Sequence, residues 1–295
     1  LLVLSGGGNA NQWPAWVGHM GAGLAFLLVG AGLHTTQTAG LALATDLAPV
    51  ESQPKVVGLM YVMLLLGMIG SAFVFGEVLA DFSPGRLIQV IQGSAVATLI
   101  LNAIALWKQE SRQRGYRAQP EKQTTFKDAW AAFTHGDNAV RRLVAVALGT
   151  MAFSMEDVLL EPYGGQILEL TVSATTKLTA TLAVGGLLGF GLASKVLSRG
   201  FDPFRMACYG AMVGVPAFLA VIFSAPASSP LMFGLGTLAI GFGGGLFGHG
   251  TLTATMNHAP EGQAGLALGT WGAVQASAAG LAVALGGVLL AVESS

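Results

Sequence analysis

The stretch that decides the fold class is residues 230–257, PLMFGLGTLAIGFGGGLFGHGTLTATMN. It contains no Asp, Glu, Lys or Arg, and it is longer than the roughly 20 residues with which a helix crosses the hydrocarbon of a bilayer. Comparable apolar stretches occur along the whole chain, separated by short segments rich in proline and glycine. The sequence therefore predicts eight membrane spans, at 18–47, 56–80, 85–107, 139–161, 173–197, 203–224, 230–257 and 263–291.

The composition indicates the same class for the chain as a whole. Of 295 residues, 53% are hydrophobic and 10% are charged, whereas soluble domains are about 25% charged. So few charges cannot cover a globule in water, but they suffice for the loops of a membrane bundle. We therefore predict an all-α polytopic membrane protein. Soluble enzymes, disulfide scaffolds and nucleic-acid-binding proteins are excluded by the net charge of −1 and the single cysteine, Cys208, which we expect to be buried.

The distribution of cations predicts the orientation of the chain in the membrane. Residues 108–138 form the longest polar segment, and alternation of the spans places three other loops on the same side. All Lys and Arg residues except Arg86 and Lys177, that is 12 of 14, lie in or beside these four segments. The positive-inside rule makes this side cytoplasmic. Within 108–138, aromatic residues among the charges fit either a helix on the membrane surface or a solvated tether.

The chain also resembles itself. Residues 30–49 match residues 241–260 with a numbering offset of 211, and after a one-residue shift the match continues to Leu79 and Leu289. Both copies have the same orientation and flank the 108–138 loop, as in the two six-span halves of the major facilitator superfamily. We predict a major-facilitator-like bundle of two six-helix halves, of which this chain covers about eight spans, the fourth to the eleventh, plus a stub. Residues 1–107 would belong to the N-terminal half, 108–138 to the cytoplasmic central loop and 139–295 to the C-terminal half without its last span.

Glycine is unusually frequent, with 42 residues. Runs such as 185–191 and 241–245 allow helices to approach closely in lipid, where small residues favour association. The same runs also leave flat surfaces that fit a planar ligand or a partner helix. The sequence leaves both interpretations open.

Polar side chains at membrane depth are the candidate functional residues, because placing them in hydrocarbon is costly. His34 and Gln37 lie in the fourth span, where a neutral imidazole could ligate the magnesium of a chlorin or bond a neighbouring helix. His249, Trp271 and Gln275 are further pigment-binding candidates, since Trp can stack on a ring and Gln can bond its edge. Core packing and interhelical hydrogen bonds are the structural alternatives for all five.

An acidic corner lies at the end of the seventh span, 139–161. Its candidate residues are Glu156, Asp157, Glu161 and Tyr163, and we expect Pro162 to end the helix at the outer surface. Such a corner could hold a cation, a magnesium-containing pigment or a basic residue of a partner. The alternative is a solvated rim.

Two features remain at the outer end of the fifth span. Asp81 and Arg86 lie on either side of a Ser-Pro turn, so we expect an interfacial ion pair that holds two spans together. Glu77 lies deeper and has no evident partner, so we expect it to be protonated or paired with an absent span. The chain has no phosphate-binding glycine loop, no Asp-x-x-x-Asp pair and no Cys-x-x-Cys, and we predict that it is not an enzyme.

Four long strings carry a resemblance to a known family: residues 34–46 (HTTQTAGLALATD), 79–93 (LADFSPGRLIQVIQG), 156–165 (EDVLLEPYGG) and 265–275 (GLALGTWGAVQ). The chain resembles the PucC/LhaA family of light-harvesting assembly factors of purple phototrophic bacteria, a branch of the major facilitator superfamily. The resemblance implies a place in the photosynthetic cytoplasmic membrane and a role in assembling LH1 around the reaction centre, or LH2. It also implies that bacteriochlorophyll is bound and delivered to nascent antenna α/β polypeptides, and His34 is the candidate ligand for the magnesium of such a pigment.

The implied partners are therefore the antenna polypeptides, the reaction centre and membrane lipids, but no nucleic acid, and carotenoid or lipid are further candidate ligands. Two alternatives stay open. A secondary transporter of pigment or a small solute predicts a central cavity with converging polar groups. A subunit of a bacteriochlorophyll synthase predicts clustered metal-binding carboxylates. The gating loop after the eighth span lacks its acidic residue, which favours the assembly factor over the transporter.

Overall fold

The computed structural model describes residues 15–49, 52–107, 131, 138–258 and 264–293. Within these ranges the chain is helical and contains no strand. Nine α-helices are described: α1 (Ala15–Leu47), α2 (Gln53–Val78), α3 (Pro84–Leu106), α4 (Ala139–Ser154), α5 (Glu156–Pro162), α6 (Val172–Leu197), α7 (Pro203–Ser224), α8 (Pro230–Asn257) and α9 (Ala264–Glu293). The predicted central loop, 108–138, falls almost entirely outside the described residues.

Seven stretches in the described ranges are long and apolar enough to cross a membrane: Lys55–Val78, Pro84–Leu106, Ala139–Ile167, Val172–Leu197, Pro203–Ser224, Pro230–Asn257 and Leu266–Leu289. The chain is therefore a multi-pass membrane protein. The sequence predicts one span more, 18–47. That span lies in α1, a helix of 33 residues with the polar run 34–38 near its middle, and it is not among the seven.

Three helices begin with the same local device. Ser83, Asp202 and Ser229 each accept a hydrogen bond from a backbone N–H two or three residues further on. Each is followed by a proline at the first helical position. A side-chain oxygen satisfies one of the free N–H groups of the first turn, and proline has no N–H to leave unsatisfied there. These positions are breaks that the sequence predicts between spans.

The chain stays helical beyond α5. The α-helix ends at Pro162, as the sequence predicts, but residues Tyr163–Ile167 continue as a π-helical turn instead of turning away from the helix there. Proline cannot donate a backbone hydrogen bond, and the N–H of Leu168 donates to the carbonyl of Tyr163, five residues back, at 3.3 Å. The helical register is thus widened rather than broken. The interruption lies earlier, at Met155, between α4 and α5.

Helix α8 lies between α6 and α7 and packs against both. On the α6 side, a Cβ atom on Gly241 or Gly245 would collide with the carbonyl oxygen of Leu182 or Gly186. On the α7 side, a Cβ atom on Gly250 would lie 2.8 Å from the carbonyl oxygen of Pro203. The backbones themselves are therefore in contact on two sides of α8. The close-packing interpretation of the glycine runs is confirmed at these positions.

The remaining helices surround this unit. Helix α2 packs against α6, α9 packs against α4, and α1 contacts α2 and α9. One buried cluster joins five of the helices, α1, α2, α4, α8 and α9, and consists of Leu41, Val57, Val146, Leu252, Leu268 and Trp271. Helix α3 is peripheral and has no buried residue.

Cys208 is exposed on α7, so the expected burial of its thiol is wrong. The buried residues of α7 recur every three or four positions, for example at Ala207, Gly210, Gly214 and Ala217. This stripe faces α8, and Cys208 lies just outside it.

An ion pair joins α2 to α6. The Nζ atom of Lys177 donates to Oε1 of Glu77 at 2.5 Å, and a Cβ atom on Gly76 would lie 2.9 Å from Cγ of Lys177. The expectation that Glu77 is protonated or paired with an absent span is therefore wrong, because its partner is 100 residues away in this chain. Lys177 and Arg86 are the two cations that lie outside the segments predicted to be cytoplasmic. Each of them forms an ion pair.

We predict that Gly241→Ala lowers the thermal stability of the detergent-solubilised protein. The new methyl group would collide with the Leu182 carbonyl and push α6 away from α8, and overpacking of this kind costs about 1–3 kcal/mol. The matched control is Gly234→Ala in the same helix, where nothing lies within 4 Å of the added carbon. Unfolding midpoints measure both effects, and an equal loss in the two variants would contradict the backbone-contact interpretation.

The Glu77–Lys177 pair yields a charge-swap prediction. Glu77→Lys and Lys177→Glu should each lower the unfolding midpoint, because each places like charges together at the end of α2 and α6. In the double variant opposite charges face each other again, so most of the lost stability should return. The expected gain is about 0.2–1 kcal/mol of unfolding free energy, as for an ion pair with exposed side chains. A double variant as unstable as the sum of the two single variants would argue against the pair.

Candidate functional site

Two cavities meet where α1, α2 and α9 come together. The first, which we call the α1–α9 cavity, has a volume of about 590 Å³ and is lined mainly by α1 and α9. The second, the central cavity, has a volume of about 400 Å³ and receives residues from α1, α2, α4, α5, α6, α8 and α9. The two share the lining residues His34, Tyr61, Trp271, Gln275 and Ala276. Each volume lies in the range of small-molecule sites, roughly 300–1,000 Å³.

Glycine forms much of one wall of the central cavity. Gly186 of α6 lines it together with four glycines of α8, Gly241, Gly244, Gly245 and Gly248. Gly186, Gly241 and Gly245 are also among the residues through which α6 and α8 touch. These three glycines thus belong to the helix contact and to the cavity lining at once, and larger side chains such as Phe190 and Phe247 line the same cavity. The planar-ligand interpretation of the glycine runs stays a prediction.

The predicted pigment-binding residues His34, Gln37, Trp271 and Gln275 all line the α1–α9 cavity. His34 is exposed on α1 and also borders the central cavity. No side chain or backbone group in the described ranges forms a hydrogen bond with its imidazole. Gln37 is engaged, since its Nε2 atom donates to the Tyr61 hydroxyl at 3.4 Å. Four of the five candidates thus lie around one site, although they come from helices far apart in sequence.

Trp271 is both a lining residue and a packing residue. It is buried at 3% exposure, and its Nε1 atom donates to Oγ1 of Thr251 at 3.3 Å. Its ring meets Tyr61 edge-on, with centroids 5.9 Å apart. Tyr61 in turn stacks on Phe190 at 5.8 Å. An aromatic layer from α9, α2 and α6 therefore lies against both cavities.

His249, the fifth candidate, lines neither cavity. It is buried, and its ring lies 4.0 Å from Phe190, which does line the central cavity. Its Nδ1 atom has no hydrogen-bond partner in the part of the chain that the structure describes. The structure therefore places His249 behind the aromatic layer.

The acidic corner does not form a single site. Glu156 lines the central cavity, whereas Glu161 is exposed. The Tyr163 hydroxyl donates to the Ile222 carbonyl at 3.0 Å, and its ring packs on Phe233. The side chain of Asp157 lies outside the described part of the structure. Glu156 and Glu161 both lie in α5 but are five residues apart, so their side chains leave the helix in different directions.

The interfacial staple residues lie together. Nη1 of Arg86 donates to the carbonyl oxygen of Asp81 at 3.0 Å and to its Oδ2 at 3.4 Å. Asp81 lies in the turn between α2 and α3 and Arg86 lies in the first turn of α3, so the pair fixes the connection of these two helices. The Asp81 side chain is 94% exposed, which places the pair at the surface and apart from the cavities.

Comparison with known proteins identifies the family. The family model described as PUCC protein matches residues 1–294. The chain belongs to this family. It is 59% identical over 291 residues to "Protein PucC" of Rhodovulum sulfidophilum and 57% identical over 289 residues to "Protein PucC" of Cereibacter sphaeroides, in both cases over 98% of this chain. It covers 64% and 63% of the length of these two relatives.

A more distant relative of this PUCC family member carries a different name. It is the "Bacteriochlorophyll synthase 44.5 kDa chain" of Rhodobacter capsulatus, which is 27% identical over 275 residues, 87% of this chain and 60% of the relative. No solved structure matches the chain. The family is therefore established by sequence, and the helical arrangement comes from this structure.

The sequence analysis does not single out Tyr61 and Phe190, which line the central cavity. A pattern that could have found Tyr61 is the internal repeat, because after the one-residue shift Tyr61 is the counterpart of Trp271. The two residues touch in the structure. Leu41 and Leu252, another repeat pair, are both buried in the cluster that joins five helices. Phe190 lies outside the repeat, and no comparable pattern marks it.

Proposed function

We propose that this chain is part of an assembly factor for the light-harvesting antenna, LH1 or LH2, that binds bacteriochlorophyll and delivers it to nascent antenna polypeptides. The observation that carries the proposal is the glycine-walled central cavity bordered by the His34 imidazole. The printed name of the 27% identical relative, which contains the word bacteriochlorophyll, supports the choice of ligand.

The residues around the cavities suit a chlorin. Gly186 and four glycines of α8 leave room along one side of the cavity for a flat macrocycle, and Phe190 and Phe247 offer apolar surface beside them. When bound, the pigment supplies a magnesium ion that accepts one further ligand, and a neutral imidazole is a suitable donor. His34 would hold the metal, Trp271 would pack against the ring, and Gln275 would bond its polar edge. Carotenoid or lipid would occupy the remaining apolar surface.

The proposed partners are the antenna α/β polypeptides, the reaction centre and membrane lipids. Helix α3 supports an outward role for this flank, because it has no buried residue and exposes large apolar side chains such as Leu99 and Ile104. We place the protein in the photosynthetic cytoplasmic membrane, with residues 108–138 on the cytoplasmic side. The positions of 12 of the 14 cations, all except Arg86 and Lys177, support this orientation.

We also propose the two-half architecture of the major facilitator superfamily. The contact between the repeat counterparts Tyr61 and Trp271 supports it, because equivalent residues meet at the axis that relates two halves. Helices α2 and α9 carry these residues. They are the second helices of the two copies of the repeat.

We propose no catalytic role for the chain. The sequence lacks the Asp-x-x-x-Asp pair that holds magnesium diphosphate in membrane prenyltransferases. Within the described ranges, no three His, Cys, Asp or Glu side chains come together in a way that could hold a metal ion. The assembly role needs binding and release of pigment, which the cavities can provide without bond chemistry.

A secondary transporter is the second candidate. It is favoured by the position of the central cavity, which receives His34 and Tyr61 from one predicted half and Glu156 and Gln275 from the other. Uptake of solute into vesicles under a proton gradient distinguishes the two functions. Gradient-dependent uptake by colourless protein would favour the transporter.

We predict that the protein purified in mild detergent from pigment-producing cells carries bacteriochlorophyll, and that His34→Ala reduces the bound pigment several-fold. The variant removes an imidazole that borders both cavities. His258→Ala is the matched control, because that ring lies against the Ala254 carbonyl at the end of α8 and lines neither cavity. Absorption spectra measure the pigment content.

Two results would count against these assignments. Colourless wild-type protein would overturn pigment binding itself. Equal pigment content in the His34→Ala and His258→Ala variants would remove His34 as the ligand while leaving the cavity in place.

A further inference from the structure

Tyr61 has an unused hydrogen-bond donor at the junction of the two cavities. Its hydroxyl accepts a hydrogen bond from Nε2 of Gln37, but no group in the described ranges accepts the hydroxyl proton. The residue is part-buried in a helix that is long and apolar enough to span the membrane. A donor without a partner is costly in such surroundings, so an acceptor from a ligand would be favourable.

The Tyr61 ring is held on two sides. Phe190 stacks on it, with an angle of 24° between the ring planes, and Trp271 meets it edge-on at 84°. These contacts fix the direction in which the hydroxyl points. A donor that is held in place before binding loses little entropy when it bonds a ligand.

Tyr61 and its repeat counterpart Trp271 differ in this respect. The N–H of Trp271 is already donated to Thr251, whereas the O–H of Tyr61 is not donated to any described group. Both residues border both cavities. Where the two cavities meet, the duplicated spans therefore carry two hydrogen-bond donors. The Trp271 N–H is already used, whereas the Tyr61 O–H is available to a ligand.

We propose that the Tyr61 hydroxyl donates a hydrogen bond to a carbonyl group conjugated to the ring of the bound pigment. The inference rests on the proposed function and makes it more specific. His34 holds the metal at the centre of the ring, and Tyr61 recognises its edge. The site therefore selects magnesium tetrapyrroles that bear a ring-conjugated carbonyl group. Tyr61 is the residue that determines this specificity.

Resonance Raman spectroscopy of the purified protein with bacteriochlorophyll a tests the proposal. This pigment has two ring-conjugated carbonyl groups, an acetyl group and a ring ketone, and a hydrogen bond lowers the stretching frequency of the carbonyl that accepts it. In the wild type, one of the two bands should lie below its position for free pigment in the same detergent. In Tyr61→Phe, that band should return to the free position, with a roughly two- to tenfold loss of affinity.

The matched control is Tyr209→Phe on α7, a tyrosine that lines neither cavity, and it should leave both carbonyl bands unchanged. His34→Ala should instead alter the bands that report magnesium coordination. Tyr61→Phe retains the ring that packs on Phe190 and Trp271, so folding is expected to persist.

Each result decides between the two proposals. Wild-type protein with both carbonyl bands at the free positions would overturn the role of Tyr61 even if no variant could be purified. A lowered band that persists in Tyr61→Phe would overturn it as well. In both cases pigment binding would stand, whereas protein that binds no pigment would overturn the proposed function and this inference together.

Discussion

The structure depends on direct backbone contact between α8 and its two neighbours. Lipid gives helices no hydrophobic reason to associate, so they are held by close van der Waals packing. Residues such as Gly241 and Gly250 allow this packing because an added carbon at either would overlap a backbone carbonyl of α6 or α7. With α8 fixed on two sides, its neighbours α4 and α9 acquire a rigid surface on which to pack.

The candidate site follows from the same constraint. Helices in backbone contact present few side chains, and the central cavity lies beside such a contact at Gly186 and Gly245. The polar residues come from elsewhere, with His34 on α1, Tyr61 on α2 and Gln275 on α9. These helices belong to the duplicated part of the chain. The lining glycines of α8 belong to that duplicated part as well, whereas Gly186 on α6 does not.

Much of this arrangement could be predicted from local pattern. Spans and helix starts depend on nearby residues, so Ser83 and Ser229 identify their breaks reliably. The family, too, is evident from long strings of sequence. Contacts between distant residues are different, because no local rule pairs Glu77 with Lys177. The acidic corner could not be predicted either, because the packing of α5 against other helices decides that Glu156 lines the central cavity while Glu161 is exposed.

The seam between α2 and α6 has unlike ends. At one end lies the Glu77–Lys177 pair, whose Glu77 side chain is 71% exposed. At the other, Val57 and Phe190 are buried among apolar neighbours, and close van der Waals packing holds the helices together there. An exposed ion pair contributes only about 0–1 kcal/mol. If these two helices separate, they would hinge about the apolar contact at Val57 and Phe190. The gap would open first at the Glu77–Lys177 ion pair.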